Sequence, residues 1–303
     1  MHNYAKGFYY FIYMKVAGFT IIRNAETYDY PVVEAIMSVL PICDAFYVGL
    51  GNSNDATRKW ITSIQSNKII ICDSVWDDSL RKGGQVLAVE TNKVFQNIPQ
   101  HFDWCFYLQS DECVHEQDLP IIKQHMQEHL NNPKIEGLLF KYLHFYGSYQ
   151  YIGTGRMWYD HEIRIIRNNK NIHSYKDAQG FRWNTQKKLQ VASIPARIFH
   201  YGWVKAPDIQ QRKQSYFNRL WHDDTWIRQH LNAEAVYSYP LNGPLKVFKG
   251  THPEVYAQRI KKQNWEFEYR PESIQWSFKN KLLHWIESSF GIRLWNYQNY
   301  KRV

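Results

Sequence analysis

Apolar residues fall along this chain in short blocks separated by polar turns, and the period within the blocks changes from strand-like to helix-like. Val16, Phe19, Ile21 and Ile22 give the segment Lys15 to Ile22 the character of a strand. A polar segment, Arg23 to Thr27, follows it. Asp29 and Pro31 then mark a helix start, and Val32, Val33, Ile36, Val39 and Leu40 recur at i, i+3, i+4 and i+7 until Pro41. The alternation continues. Ala45 to Leu50 predicts a second strand, the small-residue turn Gly51 to Thr57 leads into a helix over Arg58 to Gln65, and Lys68 to Cys72 predicts a third strand. Beyond the polar loop Asp73 to Gly84, a helix carrying Leu87, Ala88, Thr91, Val94 and Phe95 runs to Pro99. Strands alternating with helices predict a parallel sheet with helices on both faces.

The fourth strand, Trp104 to Leu108, is an unbroken apolar and aromatic run, the pattern of burial on both faces. It runs straight into Asp111 and Glu112. The carboxyl ends of strands in an open α/β sheet face the ligand crevice, so these two acids are expected where a substrate and a hard metal ion meet. A strand ending in a solvated turn has the same local pattern, so other segments must decide. Asp118 and Pro120 start a helix that ends at Asn131, and Glu136 to Lys141 returns as a strand. From 142 to 200 the pattern loosens into an aromatic, glycine-containing stretch. It contains the strand-like Glu162 to Arg167, the polar loop Ser174 to Gly180, and a last strand, Ala196 to Trp203, that carries His200. Glu162 and Arg164 share a face of their strand, so pairing with each other is one alternative for Glu162. From Pro207 the chain is expected to be helical and peripheral.

Composition narrows the classes. At 303 residues the chain can bury a full core, with one large domain and a smaller appendage. No window approaches ~18 consecutive apolar residues, so no membrane-spanning helix is expected. The run Phe8 to Tyr13 is too short for a span or a standard signal peptide, and Met14 is a candidate start with residues 1–13 as an upstream extension. Cys43, Cys72, Cys105 and Cys113 form no C-x-x-C pair and read as free thiols in a reducing, cytoplasmic compartment. The net charge of +9 favours an anionic partner, but the basic residues are scattered, which argues against nucleic acid. Aromatics at 17% suit either a site that stacks sugars and bases or an aromatic core.

The order of these motifs resembles the glycosyltransferase family 2 enzymes. The matching residues are Ile22-Arg23-Asn24-Ala25-Glu26 after the first strand, Ser53-Asn54-Asp55-Ala56-Thr57 after the second, which looks like an S-x-D-x-T turn, Tyr107 to Glu112, which looks like a D-x-D-E metal motif, and the late His200. The likeness covers residues 14 to 205. It implies a GT-A fold, a Rossmann-like mixed α/β sheet flanked by helices over 14–205, followed by a mainly helical, basic and Trp-containing extension over 206–303. It implies transfer of a sugar, with inversion, from a nucleoside-diphosphate sugar to a glycan or glycolipid acceptor, as in the synthesis of cell-envelope polysaccharides. Two positions depart from the pattern: Leu50 and Gly51 stand where paired acids precede the turn, and Gln109 stands for the first Asp of D-x-D.

On this resemblance Arg23, Asn24, Glu26, Asp55, Arg81 and Gln109 would contact the donor, and Asp111 with His200 would bind Mn2+ or Mg2+. A bound cation neutralises the departing diphosphate. Asp177 occupies the place of the catalytic base, with Glu162 as competitor. Arg81 and Lys82 are equally readable as a solvated basic loop. Trp158, Tyr159, Trp183 and Tyr201 are expected either in an acceptor platform or in the core. The tail, residues 275–303, carries Lys279, Lys281, Arg293, Lys301 and Arg302 against Glu287, together with Trp276, Trp285 and Trp295. Such a stretch lies either in a membrane interface, here the inner face, or docked on the catalytic domain. The rival readings are a nucleotidyltransferase, which would want a glycine-rich phosphate loop after the first strand, and a protein on the same fold that only binds nucleotides, glycans or nucleic acid.

Overall fold

The structure is a computed structural model that describes residues 13–230, 236–241, 243–274, 278–290, 293 and 297–303. Most of the expected N-terminal extension, residues 1–12, lies outside the described residues, as do Trp276 and Trp295.

The first half of the chain folds as its periodicity predicts. Strand β1 (Val16–Ile22) is buried throughout, with Val16 and Ile22 turned to one face and Ala17, Phe19 and Ile21 to the other. Helix α1 (Val32–Val39) follows, buried through Val32, Ile36 and Val39. Then come β2 (Ala45–Gly51), α2 (Thr57–Thr62), β3 (Ile69–Ser74), α3 (Gln85–Asn97) and β4 (Trp104–Tyr107). These four strands pair in parallel, with β1 between β2 and β4 and β3 outermost. Trp104, Phe106 and Leu108 pack on the α1 side, and Cys105 and Tyr107 on the α3 side. Each fully buried side chain of this size contributes about 1.5–3 kcal/mol, so the strand end is held firmly from both faces.

The second half departs from an all-parallel sheet. After β5 (Glu112–Val114) and α4 (Leu119–Glu128), β6 (Gly137–Tyr146) is longer than its apolar run indicates. A short β7 (Tyr151–Gly153) precedes β8 (His161–Arg167), which enters antiparallel between β4 and β6. The hairpin β9 (Ile172–Tyr175) and β10 (Gly180–Trp183) stands apart, and β11 (Gln190–Trp203) runs parallel to β6 and antiparallel to β5. The result is the mixed α/β sheet flanked by helices that the resemblance implies.

Residues beyond 206 return to this sheet. Helices α5 (Pro207–Arg219) and α6 (Asp224–His230) follow β11 directly. Strand β12 (Leu245–Val247) pairs with β7, the short α7 (Ala257–Lys261) carries Arg259 to Asp29 and Glu34 near the start of α1, and after α8 (Phe278–Phe290) strand β13 (Lys301–Arg302) pairs with the start of β11. On α8, Leu283 is buried while Leu282, Trp285 and Phe290 are exposed. Among the described residues no helix is long and apolar enough to cross a membrane.

Candidate functional site

The carboxyl ends of β1 and β4 open into a cavity of about 460 Å³, the size of a small-molecule site. Its floor is Ile21, Ile22, Arg23, Tyr107, Gln109, Ser110 and Asp111; Asp177, Ala178 and Gln179 come from the turn between β9 and β10; His200 and Trp203 come from β11. Helix α5 adds Lys213, Gln214, Tyr216 and Phe217, while Tyr30, Trp76 and Tyr159 complete the wall. Arg23, Gln109, Asp111, Asp177 and His200, drawn from four separate segments of the sequence, thus face one space.

The two consecutive acids separate at this point. Asp111 faces the cavity, but Glu112 is fully buried. Arg164 grips Glu112 through two bonds of 2.7 Å, Tyr142 Oη donates to it at 2.7 Å, and the Gln109 N–H donates at 3.0 Å. A carboxylate so fully engaged has no lone pair left for an ion, which corrects the expectation that Glu112 meets substrate and metal. The alternative of a Glu162–Arg164 pair is not formed, because Arg164 is committed to Glu112. Arg164 further donates to Gln179 O at 2.8 Å, and Gln109 Nε2 to Ala178 O at 3.3 Å, so the turn bearing Asp111 and the turn bearing Asp177 are tied together.

Asp177 sits between Lys176 and Ala178, both at positive φ (56° and 62°), a conformation non-glycine residues seldom adopt. Burial raises its pKa, the direction that strengthens a carboxylate as a base. Glu162 is buried outside the cavity, and burial pushes it up to about 8.

Asp111 and His200 approach each other, with Oδ1 and Nε2 3.8 Å apart. The tautomers follow from hydrogen bonding. His144 Nε2 lies 2.7 Å from Tyr159 O, which can only accept, so that nitrogen carries the proton. Burial and the neighbouring His200 lower the His144 pKa well below the usual value, so the ring is neutral and its Nδ1 accepts. His200 Nδ1, 3.0 Å away, therefore donates, leaving the Nε2 lone pair facing Asp111. Gly202 keeps this space open: a Cβ there would lie 2.7 Å from both Asp111 Oδ2 and His200 Nε2. One carboxylate and one imidazole lone pair converging on a small gap fit a divalent ion that draws its remaining oxygens from substrate and water. Among the described residues, no group of three His, Cys, Asp or Glu side chains is placed to hold a metal ion. Burial raises the Asp111 pKa, but Lys213, His200 and Lys205 outweigh it and hold the carboxyl well below the usual range.

The other expected donor contacts have different surroundings. Asn24, Glu26 and Asp55 clasp two loops: Asn24 Oδ1 accepts from Asn54 N at 3.0 Å, Glu26 Oε2 from Ala56 N at 2.8 Å, and Asp55 Oδ2 from Thr27 N at 2.8 Å. Ser53 and Thr57 complete the clasp by accepting from the N–H groups of Asn24 and Ala25. None of the three lines the main cavity. Arg81 is also outside it, donating to Asp224 Oδ1 at 2.7 Å and Arg219 O at 2.8 Å; it lines an adjoining cavity together with Arg23, Asn24, Arg219 and Arg228. Of the four platform aromatics, Tyr159 alone lines the main cavity; Tyr201 is buried in the core, stacked on Tyr256 at 4.1 Å. The sequence did not single out Lys213, His144, Tyr30 or Trp76.

No family model matches the chain, and no curated protein matches it. Solved structures do. The crystal structure of S. aureus TarS is 14% identical over 67% of this chain and 39% of that chain, with a TM-score of 0.38. The crystal structure of glucosyl-3-phosphoglycerate synthase from Mycobacterium tuberculosis, in complex with Mn2+, uridine-diphosphate and phosphoglyceric acid, is 16% identical over 43% of each chain, with a TM-score of 0.29. The galactosyltransferase LgtC, in complex with donor and acceptor sugar analogs, is 14% identical over 42% of this chain and 46% of that chain, with a TM-score of 0.29. The chain thus spans less than half the length of each. These are partial likenesses, and the roles of individual side chains rest on the site itself.

Proposed function

We propose that this protein is a glycosyltransferase that moves a sugar, with inversion, from a nucleoside-diphosphate sugar to a hydroxyl of a glycan or glycolipid acceptor. The observation that carries this reading is the meeting of Asp111, His200 and Asp177 around one cavity, with Asp177 on a separate, strained turn tied to the Asp111 turn. Asp111 and His200 would hold a divalent ion, which supplies positive charge to the departing diphosphate. Arg23, beside Trp76 and held by Asp78 through bonds of 2.5 and 3.2 Å, also lines the cavity and would add positive charge near the diphosphate. Asp177 takes the proton of the acceptor hydroxyl while the acceptor oxygen bonds to the anomeric carbon; the bond from that carbon to the diphosphate oxygen breaks, and the electron pair leaves on the diphosphate. Burial of the Asp177 carboxyl suits it to receive that proton. Trp76 and Tyr216 line the cavity and are the rings that would meet the base or sugar.

The test is thermal unfolding of the wild type and Asp111→Ala against a panel of nucleotide sugars, each with and without Mn2+. A ligand of the native state at a hundredfold excess over its Kd stabilises by ~2.7 kcal/mol. The reading stands if one nucleotide sugar stabilises the wild type with Mn2+ and Asp111→Ala loses the effect. It falls if no nucleotide sugar shifts the wild type under any condition.

A further inference from the structure

The acid expected to take a cation already has one. Lys213, on α5, donates to Asp111 Oδ2 at 3.1 Å and to Gly202 O at 2.8 Å, and its ammonium stands 5.0 Å from the centre of the Tyr30 ring. Both side chains are withdrawn from water, at 10% and 13% exposure. The Nζ of a second lysine, Lys205, stands 5.1 Å from the centre of the same ring. The carboxylate is therefore shared: His200 Nε2 approaches one oxygen, and a fixed ammonium holds the other.

This arrangement opposes an ion arriving alone. A divalent cation between Asp111 Oδ1 and His200 Nε2 would meet an ammonium on the same carboxylate in a partly desolvated site, where like charges repel strongly. A diphosphate entering with the ion reverses the balance, because its oxygens can accept from Lys213 and offset both cations. We propose that Lys213 is a resident counter-cation that makes capture of a divalent ion at Asp111 conditional on the donor's diphosphate. This deepens the transferase reading and rests on it. Since coupling between two ligands is reciprocal, the nucleotide gains from the ion the factor the ion gains from the nucleotide. Lys213 sets that factor.

The experiment measures Mn2+ binding by paramagnetic titration, together with thermal unfolding, for the wild type, Lys213→Met, Lys213→Gln and Asp111→Asn. Each is studied with Mn2+ alone and with Mn2+ plus UDP, GDP, CDP or dTDP. Lys213→Met is expected to melt below the wild type, because Asp111 is left buried without its ammonium, and to regain stability with Mn2+ alone. It should bind Mn2+ alone at least tenfold more tightly than the wild type, whose own affinity rises more than tenfold when a suitable nucleoside diphosphate is added. Should Lys213→Met not fold, Lys213→Gln, which keeps a donor for Gly202 O, carries the same comparison. Equal Mn2+ affinities in the wild type and the Lys213 variants overturn the proposal. So does Mn2+ binding in Lys213→Gln that survives the further change Asp111→Asn, since the ion then sits elsewhere. Failure of every nucleoside diphosphate to bind removes the transferase reading, while the Mn2+-alone comparison still decides whether Lys213 opposes the ion.

Discussion

Asp111 and Glu112 leave one turn for two regions of opposite character. Glu112 enters a sealed region where Arg164, Tyr142 and a backbone N–H satisfy it completely. Asp111 enters an open one, where a single ammonium holds one oxygen and the other faces a lone pair across a gap. Both carboxylates are paired with a cation, yet the pairs differ in kind. The bidentate guanidinium in the interior fixes geometry; the single contact of a lysine at a cavity wall can be exchanged. Counting ion pairs would have treated them alike.

The sharpest way to break this comparison is Arg164→Met. It leaves Glu112 buried and unpaired, and we expect a loss of about 3–5 kcal/mol in urea unfolding. Unlike the loss in Lys213→Met, this one should not be recovered by Mn2+, because no gap adjoins Glu112. Recovery would mean that the sealed region is not sealed. Asp177→Asn acts on the open region alone. Its kcat should fall about 10²-fold or more while the melting temperature holds, and a fall of less than tenfold would move the base elsewhere.

A third acid sharpens the contrast through a pH dependence, small per pH unit. Burial pushes Glu162 up to about 8, Arg164 offsetting only part of the shift, from an unperturbed 4.5. Between those values the folded state keeps a proton that the unfolded state has lost. The contribution to stability is full below pH 4.5 and disappears as the pH rises through 8, with a slope of up to about 1.4 kcal/mol per pH unit. Stability of Glu162→Gln measured across pH 5 to 8 should lack that slope; an unchanged slope assigns the proton to another group.

Much of the first half could be read from the chain because its strands and helices are local units with clean periods. Val16 to Ile22 and Trp104 to Tyr107 pack as their patterns indicate. The second half hid its order in register. Strand β6 continues past Lys141 through His144, whose polar side chain breaks the apolar run although it is buried. The partner of Arg164 could not be read from its own strand, because Glu112 reaches it only after β8 inserts beside β4. Asp111 was legible as a strand-end acid, and His200 as its companion at the end of another strand. Lys213 was not: it lies in a polar helix without a motif, and it reaches Asp111 only because α5 lines the cavity. The turn Ser53 to Thr57 was visible as a motif, but its side chains hold loops together in place of facing the cavity.

Gly202 gives the molecule an unusual vulnerability. A methyl group there would press on two side-chain tips, Asp111 Oδ2 and His200 Nε2, which can swing aside with little disturbance to the backbone. The fold could therefore tolerate alanine at this position while the paired donors are pushed off their common target. A single small substitution would divide inheritance of the scaffold from inheritance of the reaction, and a descendant carrying it would look intact by every measure of shape.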